Sequence, residues 1–121
     1  MVTEELLPLA GAARHARNVV TEACLRWDLP GLVAPATLIV SELVSNAVDH
    51  AGTAAQLRLA LSREHLTIAV RDGSAEPPVR PGPAAGMTER GRGLMLVAAT
   101  ADSWGWSPVA DGKVVWATLP R

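Results

Sequence analysis

Phenylalanine and tyrosine are absent from this chain, and four tryptophans supply all of its aromatic side chains. With no other ring to fill core volume, Trp27, Trp104, Trp106 and Trp116 are expected to be mostly buried. One of them left exposed on the last hairpin would suit a partner surface, where tryptophan is enriched. Cysteine occurs once, at Cys24, which excludes an internal disulfide and a cysteine-built metal site and reads as a reducing compartment. Neither sign of charge is in excess: 11 basic against 12 acidic residues leave a formal net charge of −1. That balance offers no electrostatic case for direct nucleic-acid binding. The opening MVTEELLPLAGAARHARN has acids where a signal peptide needs cations. No uninterrupted run approaches the roughly 18 to 20 apolar residues of a membrane span. A soluble, cytoplasmic protein with no membrane association is the expectation.

What is present is 121 residues, 49% apolar and 19% charged, the profile of one globular domain. Residues 1–8 read as an N-terminal tail or a clipped edge strand, and residues 9–121 as a single domain. The most organised stretch is Leu38 to His50, LIVSELVSNAVDH. Apolar pairs (Ile39-Val40, Leu43-Val44, Ala47-Val48) alternate with polar pairs (Ser41-Glu42, Ser45-Asn46, Asp49-His50). A repeat of four residues separates two stripes only on a helix. Glu42 and Asn46 then project from nearly the same side, one turn apart, so a base and a metal ligand can sit side by side. The competing reading of such a stripe is a plain solvated face.

Before that helix, Ala12, Ala16, Val19, Val20, Ala23 and Trp27 recur at helical spacing, and Leu29-Pro30-Gly31 ends the segment. Pro35 suits the first turn of the second helix and Gly52 its end. The period then falls to two: Leu57, Leu59 and Leu61, then Leu66, Ile68 and Val70 after a turn at Ser62–His65, make a hairpin running into Asp72-Gly73. Residues 74–89 are proline- and glycine-rich and aperiodic, a stretch long enough to be a lid or binding loop. Gly91-Arg92-Gly93-Leu94 then opens a third helix, and Trp104 to Leu119 forms a second hairpin around Asp111-Gly112. The economical arrangement is an α+β fold, a two-layer α/β sandwich with helices on one face of a mostly antiparallel mixed sheet.

Each chemical signal is weak by itself. A glycine pair at a helix start can bring backbone N–H groups to a phosphate, or can be a simple turn. Asp72 can accept from an exocyclic amine at a pocket mouth, or can start a turn. His15, His50 and His65 lack zinc-ligand spacing, and the P-loop and dinucleotide fingerprints are missing.

Their order is more telling. Glu42-x-x-x-Asn46 on a helix, a strand ending in Asp72-Gly73, a long loop, then Gly91-x-Gly93-Leu94 resembles the Bergerat-type ATP-binding fold of gyrase, MutL and histidine kinases. ELVSNAVDHA, VRDG, GRGLMLV and GKVVWATLP look most like the compact actinobacterial anti-sigma factors that are serine protein kinases. The resemblance implies ATP and Mg²⁺ as cofactors, Asn46 as metal ligand and Glu42 as the general base that deprotonates a partner's serine. It implies further that His50 lines the nucleotide site, that Asp72, with Gly73, binds the adenine amino group, and that Gly91, Arg92, Gly93 and Leu94 form the phosphate side under a 74–90 lid. Its implied partners are a sigma factor and an antagonist protein; relatives often form homodimers.

Three features depart from the family pattern. The glycine positions of D-x-G-x-G hold Ser74 and Glu76; Pro77, Pro78, Pro81 and Pro83 stiffen the lid; Lys113 stands where many relatives carry threonine. The family reading is a regulatory serine/threonine protein kinase. The alternative is a non-catalytic, nucleotide-dependent protein-binding switch, favoured by the missing glycines as Glu42 favours the kinase. A detached histidine-kinase catalytic domain and a fold without ligand are the remaining readings.

Overall fold

The computed structural model describes residues 1–78 and 89–121. Helix α1, Ala12–Arg26, buries Ala16, Val20, Ala23 and Cys24, the i, i+4, i+7, i+8 stripe of an amphipathic helix. Its end is locally determined. Asp28 takes the left-handed conformation (φ 58°), and the Leu29 N–H reaches back to the Cys24 carbonyl at 2.7 Å, the wider of the two bonds that close a Schellman motif. A short 3₁₀ turn, Pro30–Leu32, leads directly into α2, Val33–Ser45, with Pro35 in its first turn.

Helix α2 is the centre of the molecule. Ala36, Ile39, Val40, Leu43 and Val44 are buried, and the helix packs against both α1 and α3 (Glu89–Thr100) and against the sheet. Burying one such large aliphatic side chain contributes about 1.5–3 kcal/mol, so this stripe fixes the helix on the sheet. The continuous helical stretch Pro30–Asp49 is 20 residues long with mean hydropathy 1.5, enough by length and composition to cross a membrane. This amends the expectation drawn from unbroken apolar runs. Ala36, Ile39, Val40, Leu43, Val44 and Ala47 on this stretch are buried in the core, while Leu38 is exposed.

The sheet has five strands in the order β1-β2-β3-β5-β4: β1 Val2–Leu6, β2 Ala55–Leu61, β3 His65–Asp72, β4 Ser103–Val109 and β5 Gly112–Pro120. All four pairings are antiparallel, where a mostly antiparallel mixed sheet was expected. The N-terminal segment is an edge strand, Val2 opposite Leu59 and Leu6 opposite Ala55. Alternation aims Leu57, Leu59, Leu66, Ile68, Val70, Val115, Ala117 and Leu119 at the helices, in cross-strand rows such as Leu59–Ile68–Ala117.

The first hairpin turn is one residue shorter than the sequence suggested, Ser62–Glu64, and the second is the same length but shifted by one, Ala110–Asp111. The four tryptophans are half-buried, not enclosed. Trp27, Trp104 and Trp106 pack on the rim of the core. Trp116 lies on the open sheet face across Gly105, where a side-chain Cβ would sit 2.7 Å from its ring. Aliphatic residues and alanine fill the interior that rings fill elsewhere.

Candidate nucleotide site

The polar stripe of α2 divides into two parts. Ser41 serves the fold: its hydroxyl donates to the Thr37 carbonyl at 2.8 Å and accepts from Arg17 at 3.2 Å. Glu42 has no hydrogen-bond or ion-pair partner among the described residues. It is half-buried, and desolvation raises its carboxyl pKa above the ordinary value of 4.5. One turn on, Asn46 is buried at 6% exposure, again with no side-chain hydrogen bond among the described residues. An i, i+4 spacing puts their Cβ atoms about 5–6 Å apart.

At Asn46 the helix changes form. Residues Asn46–Ala51 make a π-helical turn, closed by Gly52 in the left-handed region (φ 67°). Such widened turns are rare and recur at functional sites. The π turn packs against β3, the strand that ends at Asp72. His50 belongs to this turn by its backbone; its side chain lies outside the described residues.

Asp72 is buried and doubly engaged. One carboxylate oxygen accepts the Ser74 N–H at 2.8 Å, so the aspartate does begin a turn. Both oxygens also meet the Lys113 ammonium, at 3.1 and 2.9 Å, in an ion pair whose side chains are only 2–3% exposed. The register of β3 and β5 sets Lys113 directly opposite Asp72. Gly73 donates its N–H to the Thr53 hydroxyl at 2.9 Å, tying the strand end to the segment that follows the π turn.

Sequence reasoning marked Lys113 as a departure but did not pair it with Asp72. The signal was available: Lys113, Val115, Ala117 and Leu119 alternate onto the helix-facing side, so the chain's single lysine had to be buried. A buried cation needs a carboxylate neighbour. Thr53 was missed outright, because a threonine after a helix-ending glycine carries no such signal.

Helix α3 begins at Glu89, two residues before the glycine pair, so Gly91, Arg92 and Gly93 fall inside its first turns. Leu94 is buried against the core, which commits that face of the helix inward. The side chains of residues 89–93 and all of 79–88, the larger part of the expected lid, lie outside the described residues. Elsewhere, His15 pairs with Glu4 and His65 with Asp102, on other parts of the surface. A polar cleft of about 280 Å³ borders the Asp72 strand end: Asp72 and Gly73 line it together with Glu5, Gln56, Arg71 and Asp111. Glu5, Gln56 and Arg71 lie opposite one another across β1, β2 and β3, one register position from Asp72.

The π turn that Asn46 begins thus packs on β3, the strand that Asp72 ends, and α3 packs alongside α2. The same architecture is found in the crystal structure of the RsbU and RsbW domains of Rv1364c from Mycobacterium tuberculosis, with a TM-score of 0.66 at 18% identity. That alignment covers the whole of this chain but only 33% of the mycobacterial one, so the likeness is one of fold to about a third of a larger protein. An uncharacterized Streptomyces coelicolor protein, SCO4941, is 38% identical over 80 residues, 63% of this chain and 76% of that one. The family model for the histidine kinase-like ATPase domain matches residues 7–119, from the end of β1 to the last strand, and therefore takes in every site residue named above. On that match, which leaves out only the chain ends, the protein belongs to the histidine kinase-like ATPase domain family.

Proposed function

We propose that this domain is a Mg·ATP-binding regulatory serine/threonine protein kinase of the anti-sigma type. In this role it phosphorylates an antagonist protein in one state and holds a sigma factor in another. The observation that carries the reading is the pair on α2: a half-buried carboxylate at Glu42 one turn before a buried carboxamide at Asn46, neither with a side-chain partner among the described residues. Buried polar groups without partners are uncommon and call for a ligand.

The donor set suits magnesium. A hard cation that keeps several waters needs only one or two protein oxygens beside the phosphates, and the Asn46 carboxamide oxygen supplies one. Among the described residues no cluster of three or more His, Cys, Asp or Glu side chains forms a cage for a softer or larger ion. Bound there, the metal would neutralise charge on the β- and γ-phosphates. Gly91, Arg92 and Gly93, in the first turns of α3, would meet the phosphates with Leu94 anchoring the helix beneath them; His50 would flank them from the π turn, and Asp72 and Gly73 would hold the base.

Glu42 would then take the proton from the partner's serine hydroxyl. The serine oxygen bonds to the γ-phosphorus, the bond from that phosphorus to the β–γ bridging oxygen breaks, and ADP leaves. A carboxyl group raised by burial is a better base than an exposed one, since its conjugate acid is weaker. Such a regulator works in the cytoplasm, where ATP and sigma factors meet, and a homodimer is compatible with it.

The test is transfer of labelled γ-phosphate from Mg·ATP to candidate antagonist proteins, with wild type and Glu42→Gln side by side. Transfer by wild type alone supports the kinase. The Asp72–Lys113 ion pair at the base end favours a second reading, a nucleotide-dependent binding switch. Nucleotide binding that changes partner affinity with no transfer from either protein would establish the switch instead.

A further inference from the structure

Asp72 and Lys113 share one hydrogen-bonding edge, and its capacity can be counted. One Asp72 oxygen accepts both the Ser74 N–H and the Lys113 ammonium; the other lies 2.9 Å from the ammonium in the ion pair, accepts no hydrogen bond among the described residues and keeps its lone pairs. The ammonium donates one hydrogen bond to the carboxylate and keeps N–H capacity without another acceptor among the described residues. This end of the site therefore presents an acceptor beside a donor. An aspartate without the lysine would present acceptors only.

That difference bears on which base can bind. Adenine offers an amino donor beside the N1 acceptor, whereas guanine and hypoxanthine offer the O6 acceptor beside the N1–H donor. Against a lone carboxylate the oxopurine O6 meets an anion, and only the aminopurine edge fits. Against the Asp72–Lys113 pair both edges fit: an adenine amino group donates to Asp72 while N1 accepts from Lys113, or N1–H donates to Asp72 while O6 accepts from Lys113. Both partners of the pair are buried, so these hydrogen bonds form away from competing water and weigh heavily on affinity.

We propose that Lys113 is the base-specificity residue of this site, and that it makes the pocket tolerant of 6-oxopurine nucleotides as well as ATP. The inference rests on the nucleotide-site reading above and adds to it which bases enter.

Calorimetric titration of the full chain with ATP, GTP and ITP, each with Mg²⁺, tests it on the wild type without any substitution. The expected result is GTP and ITP dissociation constants within about tenfold of that for ATP. In Lys113→Thr the ATP preference should widen to about a hundredfold, the scale of losing one hydrogen bond to a charged group. Wild type that binds ATP yet discriminates against both oxopurines by a hundredfold would overturn the Lys113 assignment and leave the ATP site standing. Failure of all three nucleotides to bind wild type would overturn the site and the assignment together. If Lys113→Thr does not fold, the wild-type ratios alone decide.

Discussion

Glu42 is placed where its chemistry and its stability cost are the same fact. Desolvation by burial raises its carboxyl pKa, so the folded protein favours the protonated form more than the unfolded chain does. Between the ordinary carboxylate value and the raised one, the native state holds a proton the unfolded state lacks. Stability therefore falls as pH rises through that window, and the full deficit persists above it. Glu42→Gln, which cannot ionise, should melt at a higher temperature than wild type at neutral pH and at the same temperature well below the carboxylate range. A melting difference that stays constant across pH would show that desolvation of the charge is not the cause. The same substitution should leave Mg·ATP affinity nearly unchanged while lowering phosphoryl transfer by about 10²–10⁴-fold, the usual worth of a positioned general base. Loss of binding instead would make Glu42 a nucleotide ligand. If both outcomes hold, Glu42 trades fold stability for function, as catalytic groups commonly do.

At the scale of elements, the point of least tolerance is the start of β5. A Cβ added at Gly112 would collide with the backbone carbonyl of Asp72, so no side-chain rotation relieves it and the strands themselves must separate. Gly112→Ala should destabilise the protein by about 1–3 kcal/mol, the range of overpacking, and should disturb the adjacent Asp72–Lys113 pair. A thermal or denaturant melt of Gly112→Ala matching wild type would mean that the strand ends separate more easily than the geometry indicates. Here the sequence was only partly legible. The periods of four and two revealed α2, both hairpins and the helix-facing rows, because burial repeats with the geometry of each element. The switch of α2 into a π turn at Asn46 left no trace, since one extra residue per turn shifts a short pattern by less than its own width. The hairpins implied two of the antiparallel pairings; β1 with β2 and β3 with β5 stayed hidden, because period two marks a strand without naming its neighbour. The two members of the buried ion pair stand 41 positions apart and meet only through the register of β3 and β5.

For the molecule as a whole, the site draws on α2, the π turn, β3, β5 and the packing of α3, so occupancy should be felt as global stability. A ligand that binds only the native state contributes about 2.7 kcal/mol at a hundred times its dissociation constant. For a chain of 121 residues that corresponds to a rise in melting temperature on the order of 10 °C. Mg·ATP should produce such a rise in wild type, and ATP with chelator a much smaller one. Asn46→Ala removes a buried polar group that has no protein partner among the described residues, so the unliganded variant should melt close to wild type. Its response to ATP should be the same with magnesium as with chelator, because the carboxamide that links metal to protein is gone. A variant that melts far below wild type without ligand would identify Asn46 as a structural amide of the π turn. A variant that keeps the full magnesium-dependent rise would remove Asn46 from the metal site, and Glu42, its neighbour one turn back, would be the carboxylate to examine as the metal ligand.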